Sequence, residues 1–360
     1  DAICSGSQTN PIAITSNLTG TTSYTLAVTN TQNVNGTLTA GAVTSLPQHA
    51  LTLPSNLYQT ANVTYTVTPN NNGCNGNGVS ITIPVKPLGD ISNNNLTKTI
   101  CSGDNVGIDL TTNVNGTTFS WIAEIQSGTA TGYSNGSGTT INEEITNTGS
   151  TNAVVKYTVT PSANGCPGTP KDFIITIRPK PLVNFTPASQ TICAGTSFTN
   201  INLSSNVTNP PVMYTWAGSA SSPQITGYTA SGSGATINGT TINSTLTQQG
   251  TVTYTVTPQI SGCSYTDTYT TSIAINPSPA AVPSPATPQT ICSGTASQPV
   301  NLTGTVQGTT FTWTASASSP QITGFTASGS GNIPSQTISN SGNSTGTVTF
   351  VITPEAHSGV

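Results

Sequence analysis

Strict alternation of apolar and polar residues recurs along this chain. Val63, Tyr65 and Val67 alternate with Thr64, Thr66 and Thr68 in a segment that closes on Tyr65-Thr66-Val67-Thr68-Pro69. The string returns as Tyr157–Pro161 and Tyr254–Pro258, and in altered form as Phe350–Pro354. A period of two marks a half-buried antiparallel strand. Proline lacks the N–H a ladder needs, so the strands are expected to end there. Turn residues follow at Asn72-Gly73, Asn164-Gly165 and Ser261-Gly262. A second apolar run then returns at Val79–Pro84, Asp172–Arg178 and Thr270–Ile275. Each block predicts a hairpin with a cysteine (Cys74, Cys166 or Cys263) at or near its tip. Another alternating run, such as Thr310–Thr314, carries an aromatic residue. Tyr24, Trp121, Trp216 and Trp313 are its members and are expected to plug the core.

These elements belong to a repeat. Ile-Cys-Ser-Gly stands at Ile3–Gly6, Ile100–Gly103 and Ile291–Gly294, and Ile192–Gly195 reads Ile-Cys-Ala-Gly. The four cysteines are spaced 97, 92 and 99 residues apart. That period exceeds the roughly 20–50 residues of a solenoid repeat and suits an independent small sandwich. The expected domains are 1–88, 89–181, 182–279 and 280–360. Proline-marked joints separate them at Pro84–Pro87, Pro179–Pro181 and Pro277–Pro288, which favours stiff, extended linkers. The fourth unit reads as truncated, because the pattern calls for one more hairpin cysteine near position 360 and a last strand.

Composition narrows the function. Charged residues make up 4% of the chain, against about 25% in ordinary domains. Six basic and ten acidic residues leave a net charge of −4, and no Lys or Arg occurs from Leu182 onward. Nucleic acid and polybasic membrane contacts are excluded on that ground. No apolar run is long enough for a membrane-spanning helix. Acid–base chemistry has few groups to draw on. His49 and His357 have no counterparts in other units and read as loop residues. Asp104, Asp109, Glu143 and Glu144 lie in one unit only and read as surface charge rather than a calcium site. The cysteines lack Cys-x-x-Cys spacing. No catalytic residue, metal or cofactor is expected.

Seven cysteines are an odd number. The expected bridges are Cys4–Cys74, Cys101–Cys166 and Cys193–Cys263, each clamping the start of a unit to its own hairpin. Cys292 is left single. Loops of this length are worth about 4 kcal/mol in the chain-entropy model, and disulfides place the chain outside the cytoplasm.

The order Ile-Cys-Ser-Gly, Phe-Thr-Trp, Ile-Thr-Gly-Tyr-Thr-Ala-Ser-Gly-Ser-Gly, then Tyr-Thr-Val-Thr-Pro-x-x-x-Gly-Cys resembles the PKD-like, immunoglobulin-like repeats of giant Bacteroidota cell-surface adhesins. The resemblance covers the whole chain. It implies an all-β tandem array of four antiparallel sandwiches. It also implies export by the type IX secretion machinery and display on the outer surface, attached to the outer membrane through a larger parent. Its role would be a non-catalytic stalk in adhesion and gliding motility, partnered by neighbouring repeats. The first unit departs from the pattern, with Tyr24 for Trp and no Thr-Ala-Ser-Gly-Ser-Gly. A second reading has the repeats bind polysaccharide or a solid surface themselves. Tyr133, Tyr228 and Phe325, which recur in register, are its candidate contacts. A third makes the repeats accessory to a secreted enzyme or a filament.

Overall fold

The computed structural model describes residues 1–17, 19 and 21–356, and every regular element among them is a β-strand. His357 lies outside the described residues. The chain divides into two compact units, Asp1–Lys180 and Pro181–Val360. Each holds two of the sequence repeats.

The second repeat shows the plan. Its main sheet runs in the order Gly136–Ser137, Thr117–Ser127, Ala153–Ala163, Lys171–Arg178, Thr97–Cys101. Facing it are Asp104–Asn105, Glu144–Asn147 and Ala130–Thr131, with Ile108–Asp109 paired to Thr140–Ile141. The alternation decides which side chains enter. Val155, Tyr157 and Val159 are fully buried, and so are Phe173, Ile175 and Ile177 on the neighbouring strand and Ile141 and Ile145 opposite. The polar partners face outward and pair across strands. In the first repeat Thr64 meets Thr82 at 2.9 Å and Thr66 meets Ser80 at 2.8 Å. Such pairs contribute roughly 0.2–1 kcal/mol each. The first and third repeats use the same strand order.

The aromatic plugs are matched by what lies across the ladder. Trp121, Trp216 and Trp313 are buried, and their register partners are Gly136, Gly232 and Gly329. A Cβ on those glycines would come within 2.7, 2.3 and 2.3 Å of the indole. The half-buried Tyr24 is instead paired with Val43, which fills the space a smaller ring leaves. The Ser-Gly-Ser string is therefore the strand that lies over the tryptophan.

Two expectations change. The strands do not stop at proline. Ala61–Asn71, Ala153–Ala163 and Gly250–Ile260 run through Pro69, Pro161 and Pro258. The Pro161 carbonyl accepts the Gly168 amide at 2.8 Å, and Pro69 does the same for Gly76. In an antiparallel strand N–H and C=O of one residue point the same way. The missing N–H therefore faces the hairpin, where only the carbonyl is used. The second change is the strand bearing the first cysteine, which pairs in parallel with the last strand of its repeat. Ile3–Cys4 lies on Val85–Lys86, Thr97–Cys101 on Ile174–Arg178, and Ser189–Cys193 on Ser272–Asn276. The other strand pairs of these main sheets are antiparallel.

In the fourth repeat, among the described residues, the main sheet has three strands: Ser328–Ser330, Thr310–Ala317 and Val348–Glu355. It holds no counterpart of Lys171–Arg178. The segment around Cys292 accordingly has no parallel partner and is not a strand.

Candidate functional site

The parallel pairing moves the first cysteine away from its own hairpin. Cys4 is level with Lys86, at the far end of strand Val79–Lys86 from Cys74. Eight strand residues span about 25 Å, and a disulfide tolerates a Cα separation of about 7 Å at most. The expected Cys4–Cys74 bridge is therefore not made. Cys4 is bonded instead to Cys166, at the hairpin of the next repeat, with Cα atoms 5.5 Å apart and 162 residues between them in sequence. That removes the expected Cys101–Cys166 bridge too. Cys101 is level with Arg178, at the opposite end of its strand from Cys166. The expected Cys193–Cys263 bridge is also absent, because Cys193 is a free, exposed thiol. Cys74 and Cys292 are likewise free and exposed. Cys101 and Cys263 are both disulfide-bonded.

Around the Cys4–Cys166 bond the first repeat and its linker are seated on the second repeat. The hairpin tip is a tight turn at Asn164-Gly165, with φ of 50° and 85°, the left-handed conformation that Asn and Gly tolerate. The Gly89 amide donates to the Cys166 carbonyl at 3.0 Å. The Lys86 ammonium reaches the Asn164 carbonyl at 3.5 Å, and Lys171 donates to the Ile91 carbonyl at 2.7 Å. Asp90 then clamps the following loop. Its carboxylate accepts the Asn113 amide at 2.9 Å, the Val114 amide at 3.1 Å, the Asn113 side chain at 2.8 Å and the Thr112 hydroxyl. Burial alone would raise its pKa, but these hydrogen bonds outweigh it and hold the carboxyl below its usual range. Other linkers dock on the same loop of the repeat they lead into: Leu182 donates to Asn206 at 2.7 Å, and Ala280 to Thr305 at 2.9 Å.

The buried tyrosine of each Tyr-Thr-Val-Thr-Pro strand explains two residues the sequence left on the surface. Tyr65 OH lies 2.7 Å from His49 Nε2 and receives the Leu38 amide at 3.3 Å. His49 Nδ1 is 2.9 Å from the Pro47 carbonyl and so carries the proton, leaving Nε2 to accept from the tyrosine. Tyr157 donates to Glu143 Oε2 at 2.6 Å. Burial, reinforced by that bond and the Glu143 charge, pushes Tyr157 far above the usual phenol range. Tyr254 is pushed up by burial too and lies beside the Thr229 backbone. In the fourth repeat the position is Phe350, which needs no partner. His49 and Glu143 are thus core-capping residues. Asp104 accepts the Cys101 amide at 3.1 Å and Asp109 accepts the Thr140 hydroxyl at 2.9 Å. Each acid serves its own turn or strand pair, and among the described residues no three His, Cys, Asp or Glu side chains gather as a metal site.

A family model described as the PKD-like domain matches residues 1–89, 98–181, 187–279 and 289–360. The chain belongs to the PKD-like domain family. No curated protein matches it. Similar solved structures include titin domains I67–I69, at 10% identity over 77% of this chain and 95% of that one with a TM-score of 0.39. Mouse cadherin-23 EC22–24 aligns at 12% identity over 74% of this chain and 89% of that one, TM-score 0.29. Drosophila N-cadherin EC1–4 aligns at 10% identity over 98% and 97%, TM-score 0.26.

The aromatic row of the PKD-like repeats sits behind a glycine corner. Gly132, Gly227 and Gly324 have φ of 95°, 91° and 85°. A Cβ there would lie 2.1–2.2 Å from the carbonyls of Glu144, Thr241 and Thr337. The next residue is Tyr133, Tyr228 or Phe325, and all three are half-buried. Tyr133 and Tyr228 rest against the cores of their repeats. Gly36 makes the same corner against Ala50 in the first PKD-like repeat, but Thr37 follows it. The row therefore occupies equivalent corners in three repeats, with part of each ring open to solvent.

Proposed function

We propose that this chain is a non-catalytic stalk segment of a large secreted cell-surface adhesin, of the kind the gliding-motility adhesin SprB represents among Bacteroidota. On this reading it is exported by the type IX secretion machinery and held at the outer membrane through its parent protein. The observation that carries the reading is the junction between the first two repeats. A disulfide, a four-bond carboxylate clamp and main-chain contacts tie one sandwich to the next, as suits an array that must hold its form outside the cell. Disulfide-bonded PKD-like repeats and the near absence of charge support it.

The recurring corner aromatics favour a second reading, in which the repeats bind polysaccharide through many weak sites. Binding of the oxidised chain to agar, other polysaccharides and glass at two salt concentrations separates the two. Saturable binding that weakens in the Tyr228→Ala, Phe325→Ala double variant places adhesion in the repeats. A folded, bridged chain that binds nothing is a spacer.

A further inference from the structure

The Cys4–Cys166 bond changes where a pulling force runs. Tension entering at the N-terminus reaches Cys4 after three residues. From Ser5 to Gly165 the backbone lies inside a covalent loop that the bond closes. The shorter route crosses the disulfide to Cys166 and leaves along strand Lys171–Arg178. That strand is held on both sides, by Ala153–Ala163 and by Thr97–Cys101. We propose that this inter-repeat bond is a tension bypass, which lets the first two sandwiches transmit force without being drawn out themselves.

The alternative bridge makes the difference plain. A Cys4–Cys74 bond would shield the first repeat alone and leave the second in the load path. The observed bond shields almost all of both, because it joins the start of one repeat to the hairpin just before the last strand of the next. The junction contacts keep the bond's two ends together at rest: Gly89 to Cys166 and Lys86 to Asn164.

The inference rests on the stalk reading only for its biological purpose, since the force path and the adhesion assay are read separately. The test is single-molecule pulling on the full 360-residue chain, between the N-terminus and a handle coupled at position 180. With the bond intact, about 20 residues lie outside the loop, and the span cannot exceed roughly 70 Å. With reductant the whole segment is free and extends to about 600 Å. The oxidised Cys166→Ser variant is expected to match the reduced wild type, and the reduced wild type serves alone if that variant does not fold. Release of about 600 Å from the oxidised wild type, or a Cys4–Cys74 peptide in its unreduced digest, overturns the proposal.

Discussion

Gly168 lies so close to Gly89 that a Cβ on Gly168 would stand 1.7 Å from the Gly89 carbonyl oxygen. A Cβ on Gly89 would in turn be 2.7 Å from the Ser162 amide nitrogen. The linker leaving the first repeat and the hairpin of the second thus meet backbone to backbone, and only glycine permits it on either side. This contact sits beside the Cys4–Cys166 bond, since the Gly89 amide also donates to the Cys166 carbonyl.

Gly168→Ala is therefore expected to push the linker off the hairpin. Overpacking of this kind costs roughly 1–3 kcal/mol. Thermal unfolding should show a lower midpoint, and peptide mapping of the unreduced chain should show less Cys4–Cys166 product. Gly165→Ala, at the same hairpin but with open space around it, should leave bridge formation intact while straining only the turn. Equal bridging in Gly168→Ala and wild type would show that the glycine contact does not set the junction.

Alkylation of the unreduced, denatured chain should label three cysteines, Cys74, Cys193 and Cys292, and leave Cys4, Cys101, Cys166 and Cys263 unlabelled. A loop of this length stabilises by about 5 kcal/mol in the chain-entropy model. Reduction should therefore lower the denaturation midpoint well beyond the effect of any single side-chain change. Labelling of Cys4 or Cys166 would remove the junction bond from the native molecule.

Glu143 and Tyr157 give a test of asymmetry. Glu143→Ala leaves a buried phenol unpaired, which costs roughly 1–3 kcal/mol. Tyr157→Phe removes the buried hydroxyl and leaves the half-buried Glu143 with its Ser134 donors, so it should cost less, about 0.5–1.5 kcal/mol. The fourth repeat already carries Phe350 at this position. Tyr254→Phe removes a buried hydroxyl that makes no hydrogen bond of good geometry among the described residues, so it should be milder still. Chemical denaturation of the three variants ranks them, and a Tyr157→Phe loss larger than that of Glu143→Ala would contradict the assignment.

The strands, the hairpins and the aromatic plugs are legible in the sequence because period-two alternation is a local property. Val155, Tyr157 and Val159 declare their face whatever the topology. The bridges are not legible, because they depend on one non-local fact: the short cysteine-bearing strand pairs in parallel with the last strand. Antiparallel pairing would have brought Cys4 near Cys74. Parallel pairing sends it to the opposite end of the sheet, where the next repeat's hairpin stands. Pro161 misleads for a related reason, since whether a strand tolerates proline depends on which side its N–H faces. His49 and Glu143 are hidden because the partner that gives them meaning is a buried tyrosine 16 or 14 residues away. The repeats solve that capping problem differently, so no motif recurs.

Asp90 makes the junction sensitive to acid. Burial opposes its ionisation, but donors from Thr112, Asn113 and Val114 favour it more strongly, so the folded pKa lies below the unfolded one. A depressed carboxylate contributes stability that is fully present above the unfolded value, about 3.9. That contribution fades as pH falls from there through the lower folded value. At neutral pH the clamp is complete. Near the acid end a protonated carboxyl accepts fewer bonds and the Thr112–Val114 loop loosens from the linker. Asp90→Asn should lower the thermal midpoint at pH 7, and the gap from wild type should narrow steadily below about pH 4. Hydrogen exchange at the Asn113 and Val114 amides should report the same window locally, with protection in wild type at pH 5 and its loss in the variant. A gap that stays constant down to pH 2 would mean that Asp90 supports the junction by shape rather than by its charge.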